Sequence, residues 1–275
     1  MSTTFLYGEN VAANGIRQHY LRYGGADGAR AERAAIILIP GITSPAITWG
    51  FVGEVLGRAF DTYVIDVRGR GLSEASPTLD YRLGAQGDDV VALAATLGLK
   101  RFALVGHSMG ARIAARAAVH KPAGLESVVL VDPPVSGPGR REYPGKTPWY
   151  VDSMALARDG MNAEAMREFC PTWSDDERRL RAEWLHTCDE RAVLESYEGF
   201  HTDDFQADAA QLHVPSLLIT AERGDVVRDE DVAELQRATP SMQHVRVPGA
   251  GHMIPWDNAA GFYAAFGDFL GTPLV

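Results

Sequence analysis

The chain has 275 residues, of which 46% are hydrophobic and 23% charged, and its formal net charge at pH 7 is −10. This composition is typical of a globular protein with a large core, and the acidic balance argues against a protein that binds nucleic acid or an anionic membrane through a basic face. Two cysteines, Cys170 and Cys188, argue against a secreted disulfide scaffold.

The first residues carry no signal-peptide pattern, and no run approaches the roughly 18 apolar residues of a membrane span. Together with the low cysteine count, this predicts a cytoplasmic location and no membrane partner. The sequence leaves the oligomeric state open.

Strand-length apolar runs alternate with helical patterns. The first two runs alternate in polarity, which predicts antiparallel edge strands, and the next six are mostly apolar throughout, which predicts a parallel sheet covered on both faces. The predicted strands are residues 5–11, 17–23, 34–40, 62–67, 102–106, 127–131, 216–220 and 244–247. The predicted core helices are residues 49–59, 88–97, 111–119, 232–238 and 259–270. We therefore expect an α/β fold with a mostly parallel, eight-stranded sheet.

The alternation stops between the sixth and seventh predicted strands. A loop rich in Pro, Gly and Arg is followed by helical patterns at residues 149–157, 162–169, 174–185 and 190–200. A structureless connection of this length is implausible in a compact domain. We therefore predict a helical cap at 136–211, inserted into a core formed by residues 1–135 and 212–275.

The strongest motif is Gly106-His107-Ser108-Met109-Gly110. It lies where an apolar strand meets a helix of small residues, which is the context of a G-x-S-x-G nucleophile elbow. Glycines are needed there because the turn is tight and side chains would crowd neighbouring elements. The motif predicts that Ser108 is a nucleophile at a helix N-terminus.

A serine nucleophile needs a base, and His252 is the best candidate among eight histidines. It follows the last predicted strand in a glycine-rich loop. For His107, inside the elbow, we expect a packing role.

Two carboxylates compete for the acid position. Asp132 ends the sixth predicted strand before Pro133-Pro134, and Asp225 follows the seventh. Both preserve the chain order Ser, Asp, His. The rigid, proline-fixed exit favours Asp132, with Asp225 as the alternative.

The oxyanion hole requires two backbone N–H groups. Met109 follows the nucleophile and supplies one. The loop after the third predicted strand begins Pro40-Gly41, and its Ile42 N–H is the second candidate.

The glycine run at 66–73 lacks the pattern and context of a dinucleotide site. No phosphate-binding loop motif and no metal-type His/Cys cluster is present. We therefore expect neither a metal nor an organic cofactor.

As a set, Pro40-Gly41, the run at 66–73, the elbow and the Gly-Ala-Gly-His run ending at His252 resemble the α/β-hydrolase superfamily. The resemblance covers nearly the whole chain. It implies an α/β-hydrolase fold with a cap between strands 6 and 7.

A narrower resemblance, to the N-formylmaleamate deformylase family of nicotinate degradation, is carried by residues 40–50, 131–141, 148–153, 183–188 and 251–256. The cap segments matter most, because enzymes of many activities share the core. In that family the acid follows strand 6, which supports Asp132. The resemblance implies hydrolysis of N-formylmaleamate to maleamate and formate through a formyl-serine intermediate.

The implied substrate is a small anionic amide, so the site should offer cationic or donor groups. The cap candidates for binding it are Trp149, Tyr150, Trp184 and His186.

Other activities of the same fold remain alternatives, namely carboxylesterase, enol-lactonase and meta-cleavage C–C hydrolase. A cofactor-free perhydrolase and a non-catalytic binding protein are further alternatives. The intact Ser, His and acid set disfavours the binding protein.

Overall fold

The computed structural model describes residues 3–274. Its centre is a single sheet with the strand order β1-β2-β4-β3-β5-β6-β7-β8. The strands are β1 Phe5–Ala13, β2 Ile16–Tyr23, β3 Ala35–Ile39, β4 Thr62–Ile65, β5 Phe102–His107, β6 Leu125–Val131, β7 Ser216–Ala221 and β8 Gln243–Val247. β1 and β2 pair antiparallel and β2 joins β4 antiparallel, whereas the other neighbours are parallel. The predicted mostly parallel, eight-stranded sheet is confirmed.

The helices outside the β6–β7 connection are α1 Gly28–Ala31, α2 Gly50–Leu56, α3 Leu83–Thr96, α4 Met109–Val119, α10 Asp229–Ala238, α11 Ile254–Asp257 and α12 Ala259–Phe269. A 3-10 turn at Ala46–Trp49 precedes α2. The short helices α1 and α11 were not indicated by the sequence pattern, since four residues are too few to show a helical period.

Both faces of the sheet are covered, as β3 shows. All five of its residues are buried. Ile37 and Ile39 pack into the apolar cluster that includes residues of α3 and α4. Ile36 and Leu38 pack into the cluster that includes residues of α2 and α12. This two-sided burial explains why the strand is apolar at every position.

Helix α3 begins at Leu83, five residues before the predicted start at 88. Its first turns contain Gly84 and Gln86, which hide the apolar period. Gln86 is nevertheless buried, and its Nε2 donates a hydrogen bond to Ser196 Oγ at 2.9 Å. The first turn of α3 therefore contacts a distant part of the chain, which local sequence does not indicate.

The connection between β6 and β7 contains helices and no strand. They are α5 Thr147–Arg158, α6 Ala163–Met166, α7 Asp175–Trp184, α8 Glu190–Thr202 and α9 Phe205–Ala209, with a 3-10 turn at Leu185–Thr187. Capping side chains set several of their starts: Ser174 forms a capping box with Glu177, and Asp189 accepts from Ala192 N. α6 is shorter than the predicted 162–169, and α9 was missed.

A buried arginine, Arg112, joins this connection to helix α4. The Arg112 guanidinium on α4 donates to the carbonyl oxygens of Pro134, Ser136, Gly199 and Asp203 at 2.8–3.1 Å. Two of these carbonyls follow β6 and two lie at the end of α8. The helical connection is therefore held against the helix that follows the nucleophile.

Candidate active site

Ser108 occupies a strained turn between β5 and α4. Its backbone has φ 55° and ψ −119°, a region that non-glycine residues rarely adopt. A Cβ at Gly106 would lie 2.0 Å from Gly110 O, and a Cβ at Gly110 would lie 2.0 Å from Ile39 O. The steric reason for both elbow glycines is therefore present in the structure.

His252 lies in the loop after β8, between Ser108 and Asp132. Its Nδ1 is 2.7 Å from Asp132 Oδ2 and its Nε2 is 3.0 Å from Ser108 Oγ. A carboxylate only accepts hydrogen bonds, so Nδ1 carries the proton and donates it. Nε2 is then free to accept from the serine hydroxyl. The three side chains form a continuous chain of hydrogen bonds.

Asp132 is buried immediately after β6, with a positive φ of 46°. Its backbone N–H donates to Ile219 O at 2.8 Å, and its Oδ1 accepts from Ala221 N–H at 3.2 Å. Two contacts with β7 thus orient the carboxylate toward His252. The alternative acid, Asp225, has an exposed side chain that pairs with Arg228 at 3.2 Å. The geometry therefore supports Asp132.

The oxyanion candidates lie on both sides of the nucleophile. Ile42 is buried in the loop after β3, and Met109 is the first residue of α4. Neither backbone N–H has a hydrogen-bond partner among residues 3–274. The Gly41 backbone lies against the nucleophile, because a Cβ there would be 3.5 Å from Ser108 Cβ. The two donors are thus free and close to the serine.

The run at 66–73 supports this loop. Asp66 accepts from Ala46 N–H at 2.6 Å and lies 2.7 Å from His19 Nδ1. Arg70 Nε donates to Ile42 O at 3.1 Å. Gly71 is required here, since its φ is 57° and a Cβ would lie 2.1 Å from Asp66 Oδ1. The run therefore has a structural role under the oxyanion loop.

A cavity of about 610 Å³ opens beside Ser108 and His252. One wall is the oxyanion loop, and the opposite wall is formed by the β6–β7 connection, including Tyr143, Trp149, Tyr150, Trp173 and Arg181. Its volume fits a small-molecule ligand.

The four residues predicted to bind the substrate divide into two pairs. Trp149 and Tyr150 line the cavity, where they could contact a bound molecule. The prediction for Trp184 and His186 is not supported, because neither lines the cavity and His186 is exposed in the 3-10 turn that ends α7. α7 turns Arg181 inward instead.

The sequence does not indicate several residues of the cavity wall, among them Tyr143 and Arg181. Tyr143 is buried, and burial raises the pKa of its hydroxyl well above the usual range, with an opposing contribution from Ser108. Arg181 was hidden in a charged run. Its signal is the inner face of α7, where buried Arg178, Arg181 and Ala182 recur at helical spacing before buried Leu185.

Between residues 3 and 274 no helix combines the length and apolarity that crossing a bilayer requires. Within the same range, no three His, Cys, Asp or Glu side chains are grouped so as to hold a metal ion.

A nucleophile elbow at the carboxyl edge of a mostly parallel sheet, followed along the chain by an acid and a histidine, defines the α/β-hydrolase class. Residues 34–259 match the family model for the alpha/beta hydrolase fold, and the chain belongs to that family. It is therefore a hydrolase of this fold, as the sequence predicted.

Within the family, the chain is 57% identical over 273 residues to N-formylmaleamate deformylase of Pseudomonas putida, a match that covers 99% of this chain and 100% of the relative. The crystal structure of N-formylmaleamic acid deformylase from Pseudomonas putida S16 has a TM-score of 0.89 and 51% identity, covering 94% of this chain and 100% of that one. The narrower resemblance is confirmed.

A more distant relative is 2-(acetamidomethylene)succinate hydrolase of Mesorhizobium japonicum, which is 27% identical over 80% of this chain and 81% of its own length.

Proposed function

We propose that the protein hydrolyses the formyl amide of N-formylmaleamate, giving maleamate and formate, as a step of aerobic nicotinate degradation. The observation that carries the proposal is the 57% identity to a curated deformylase over 99% of this chain. A match of this extent includes the β6–β7 connection, whose side chains form one wall of the cavity. Because enzymes of many activities share the core, a match that extends over this connection supports the particular activity.

In the first half-reaction, Ser108 Oγ attacks the formyl carbon while His252 Nε2 takes the serine proton. Asp132 holds the imidazole and stabilises its charged form. The N–H groups of Ile42 and Met109 donate to the oxyanion, each contributing about 3 kcal/mol. The C–N bond then breaks, His252 returns the proton to the leaving nitrogen, and maleamate departs. A formyl group remains on Ser108.

In the second half-reaction, His252 takes a proton from water as the water attacks the formyl-serine carbon. The tetrahedral intermediate collapses, and His252 protonates Ser108 Oγ as formate leaves. The overall change adds one water across the formyl C–N bond. The leaving nitrogen also bears the maleamoyl carbonyl, which withdraws its electron pair and makes it a better leaving group than a simple amine.

We further propose that residues 136–211 act as a cap on a core of residues 1–135 and 212–275. The support is that Tyr143 and Trp149 from this segment share a cavity with Ser108 and His252 from the rest of the chain. We also propose a cytoplasmic location, which is in keeping with the two free, buried thiols.

The test is formate release from N-formylmaleamate by the wild type and by Ser108→Ala. We expect turnover by the wild type and none by the variant, which keeps the cavity. Covalent labelling of Ser108 by a serine-directed phosphonate should accompany activity. Turnover of aryl esters or dienone acids without formate release would assign a different hydrolase activity, and peroxide-dependent halogenation would indicate a perhydrolase.

A second comparison tests the acid. Asp132→Asn should lower kcat by about 10⁴-fold, since the amide favours the wrong histidine tautomer. Asp225→Asn removes an exposed carboxylate and should leave kcat unchanged. Loss of activity in Asp225→Asn alone would overturn the assignment of Asp132.

A further inference from the structure

Arg181 lies in the wall of the cavity although it belongs to a strongly charged surface helix. Its residue exposure is 3%, and it lines the same cavity as Ser108 and His252. Its Nη1 donates to Thr43 O and its Nη2 to Thr43 Oγ1, both at 3.0 Å. Thr43 follows Ile42, so consecutive residues hold the guanidinium and supply an oxyanion donor.

The Arg181 charge has no anionic partner in the part of the chain that the structure describes. Its Nε is buried without a hydrogen-bond partner, and its described hydrogen bonds go to the neutral Thr43. The nearby Cys170 is also no counter-ion, because burial raises the pKa of its thiol while Arg181 acts in the opposite direction. A buried, unpaired cation is costly in a protein unless an anion meets it.

Two aromatic rings lie close to the guanidinium of Arg181. The Arg181 Cζ lies 5.8 Å from the ring centre of Trp149 and 5.7 Å from that of Trp173. Both rings lie within the roughly 6 Å at which an aromatic face attracts a cation, and they stabilise the charge of Arg181. An arginine fork also matches the two oxygens of a carboxylate, as a lysine does not.

Lys146, the other cationic side chain in the cavity wall, differs from Arg181 in its burial and in its ion pairing. It is exposed, and its Nζ pairs with Glu142 at 3.2 Å. Asp257 also lines the cavity, but its carboxylate accepts from Gly251 N–H at 2.7 Å and Thr172 Oγ1 at 3.2 Å. Lys146 therefore offers a matched control for a charge in the same wall.

We propose that Arg181 binds the carboxylate of the substrate and makes the site specific for small amide acids over their neutral analogues. The inference rests on the proposed deformylase function. The substrate carries its carboxylate at the end opposite the formyl group, so an anchor beside Thr43 places the formyl carbon toward Ser108. In this role Arg181 acts on binding and orientation, apart from the proton transfers.

The test compares formate release from N-formylmaleamate and from its methyl ester, in which an uncharged ester group replaces the carboxylate. We expect the wild type to favour the acid by about 100-fold in kcat/KM, the range of a charge-assisted hydrogen-bonded pair. Arg181→Met should lose nearly all of this preference, because its kcat/KM for the acid falls while its kcat/KM for the ester does not change. Arg181→Lys should retain about a tenth of it, and Lys146→Met should keep it all.

The acid-to-ester ratio is internal to each preparation, so a smaller folded fraction cancels. If Arg181→Met does not fold, Arg181→Lys carries the test by the same ratio. An equal fall on both substrates would overturn the proposal and assign Arg181 a structural role in holding Thr43. A wild type that releases no formate from either substrate contradicts the deformylase function itself. A wild type that cleaves both equally overturns only the role of Arg181.

Discussion

His107 Nε2 donates a hydrogen bond to the main-chain carbonyl oxygen of His252, 2.9 Å away. The residue before the nucleophile therefore holds the backbone of the histidine that meets the nucleophile. The two imidazole rings are also close, with centroids 4.9 Å apart. The sequence predicts a packing role for His107, and the structure adds this contact with the His252 backbone.

His107→Phe should therefore lower kcat for formate release by about 10-fold. The phenyl ring keeps the packing volume but leaves the His252 carbonyl without its donor, a loss of about 1 kcal/mol or more. KM should change little, because His107 acts through His252. Steady-state kinetics on the purified variant measures both values.

His107→Gln is the matched control, since its amide still donates a hydrogen bond. Its kcat should lie between that of the wild type and that of His107→Phe. If Phe and Gln reduce kcat equally, the shape of the imidazole matters and the hydrogen bond does not.

The same residue gives the protein a pH-dependent stability. Burial lowers the pKa of His107 to about 3, with the neighbouring His252 acting in the same direction. An unfolded histidine titrates near 6.5. Between these values the unfolded chain binds a proton that the folded chain does not, so the free energy of unfolding falls as the pH falls.

Urea unfolding of the wild type and His107→Phe should show this difference. From about pH 7 to pH 5 the wild type should lose about 2 kcal/mol more than the variant, with the stabilisation complete above pH 6.5. Other groups titrate in both proteins and cancel. Parallel stability curves over this range would contradict the assignment.

Much of this fold could be predicted because its signals are local. The strand β3 is apolar at every position since both its faces are buried, and the elbow glycines meet backbone atoms of neighbouring elements. The same locality made Ser108 and His252 recognisable, each next to glycines at the end of a strand.

The cavity wall could not be predicted in the same way. Arg181 and Trp184 lie about one turn apart on the same side of α7, so the helical period does not distinguish them. Only the packing of that helix decides which of them reaches the cavity. Tyr143 lies in an irregular loop with no period to indicate its direction. Residues contributed by the helical connection depend on tertiary packing that single-sequence patterns do not encode.

Arg70 provides a third prediction, because it joins the oxyanion loop to α8. Besides Ile42 O, its guanidinium donates to Ala192 O at 3.0 Å and Ser196 Oγ at 2.9 Å. Its pKa is lowered to about 10 by burial, so it stays charged at neutral pH. Arg70→Met removes these three hydrogen bonds and should lower the free energy of unfolding by about 2–4 kcal/mol.

The variant should also lose kcat, since the Ile42 peptide is no longer held. Thermal unfolding and formate release measure the two effects. Arg82→Met is the control, because Arg82 is exposed and its ion pair is with Asp80, two residues away. It should change stability by no more than about 0.5 kcal/mol. If Arg70→Met is as stable and as active as the wild type, Arg70 does not hold the Ile42 peptide in place.

The last prediction uses two glycines at the second position of their helices. A Cβ at Gly110, in α4, would lie 2.0 Å from Ile39 O and 2.6 Å from Pro40 O, and backbone atoms cannot rotate away. A Cβ at Gly84, in α3, would meet nothing within 4 Å. Neither glycine has a positive φ, so alanine suits both backbones.

Gly84→Ala should therefore raise the free energy of unfolding by about 0.5–1 kcal/mol through helix propensity. Gly110→Ala gains the same propensity but forces α4 away from the end of β3, a net loss of about 2–4 kcal/mol. Because Ser108 and the Met109 N–H sit on the displaced turn, formate release should fall as well. Urea unfolding of both variants measures the change in stability, and kinetic assays measure the change in formate release. If Gly110→Ala is as stable and active as Gly84→Ala, the close approach of α4 to β3 does not determine the position of the nucleophile.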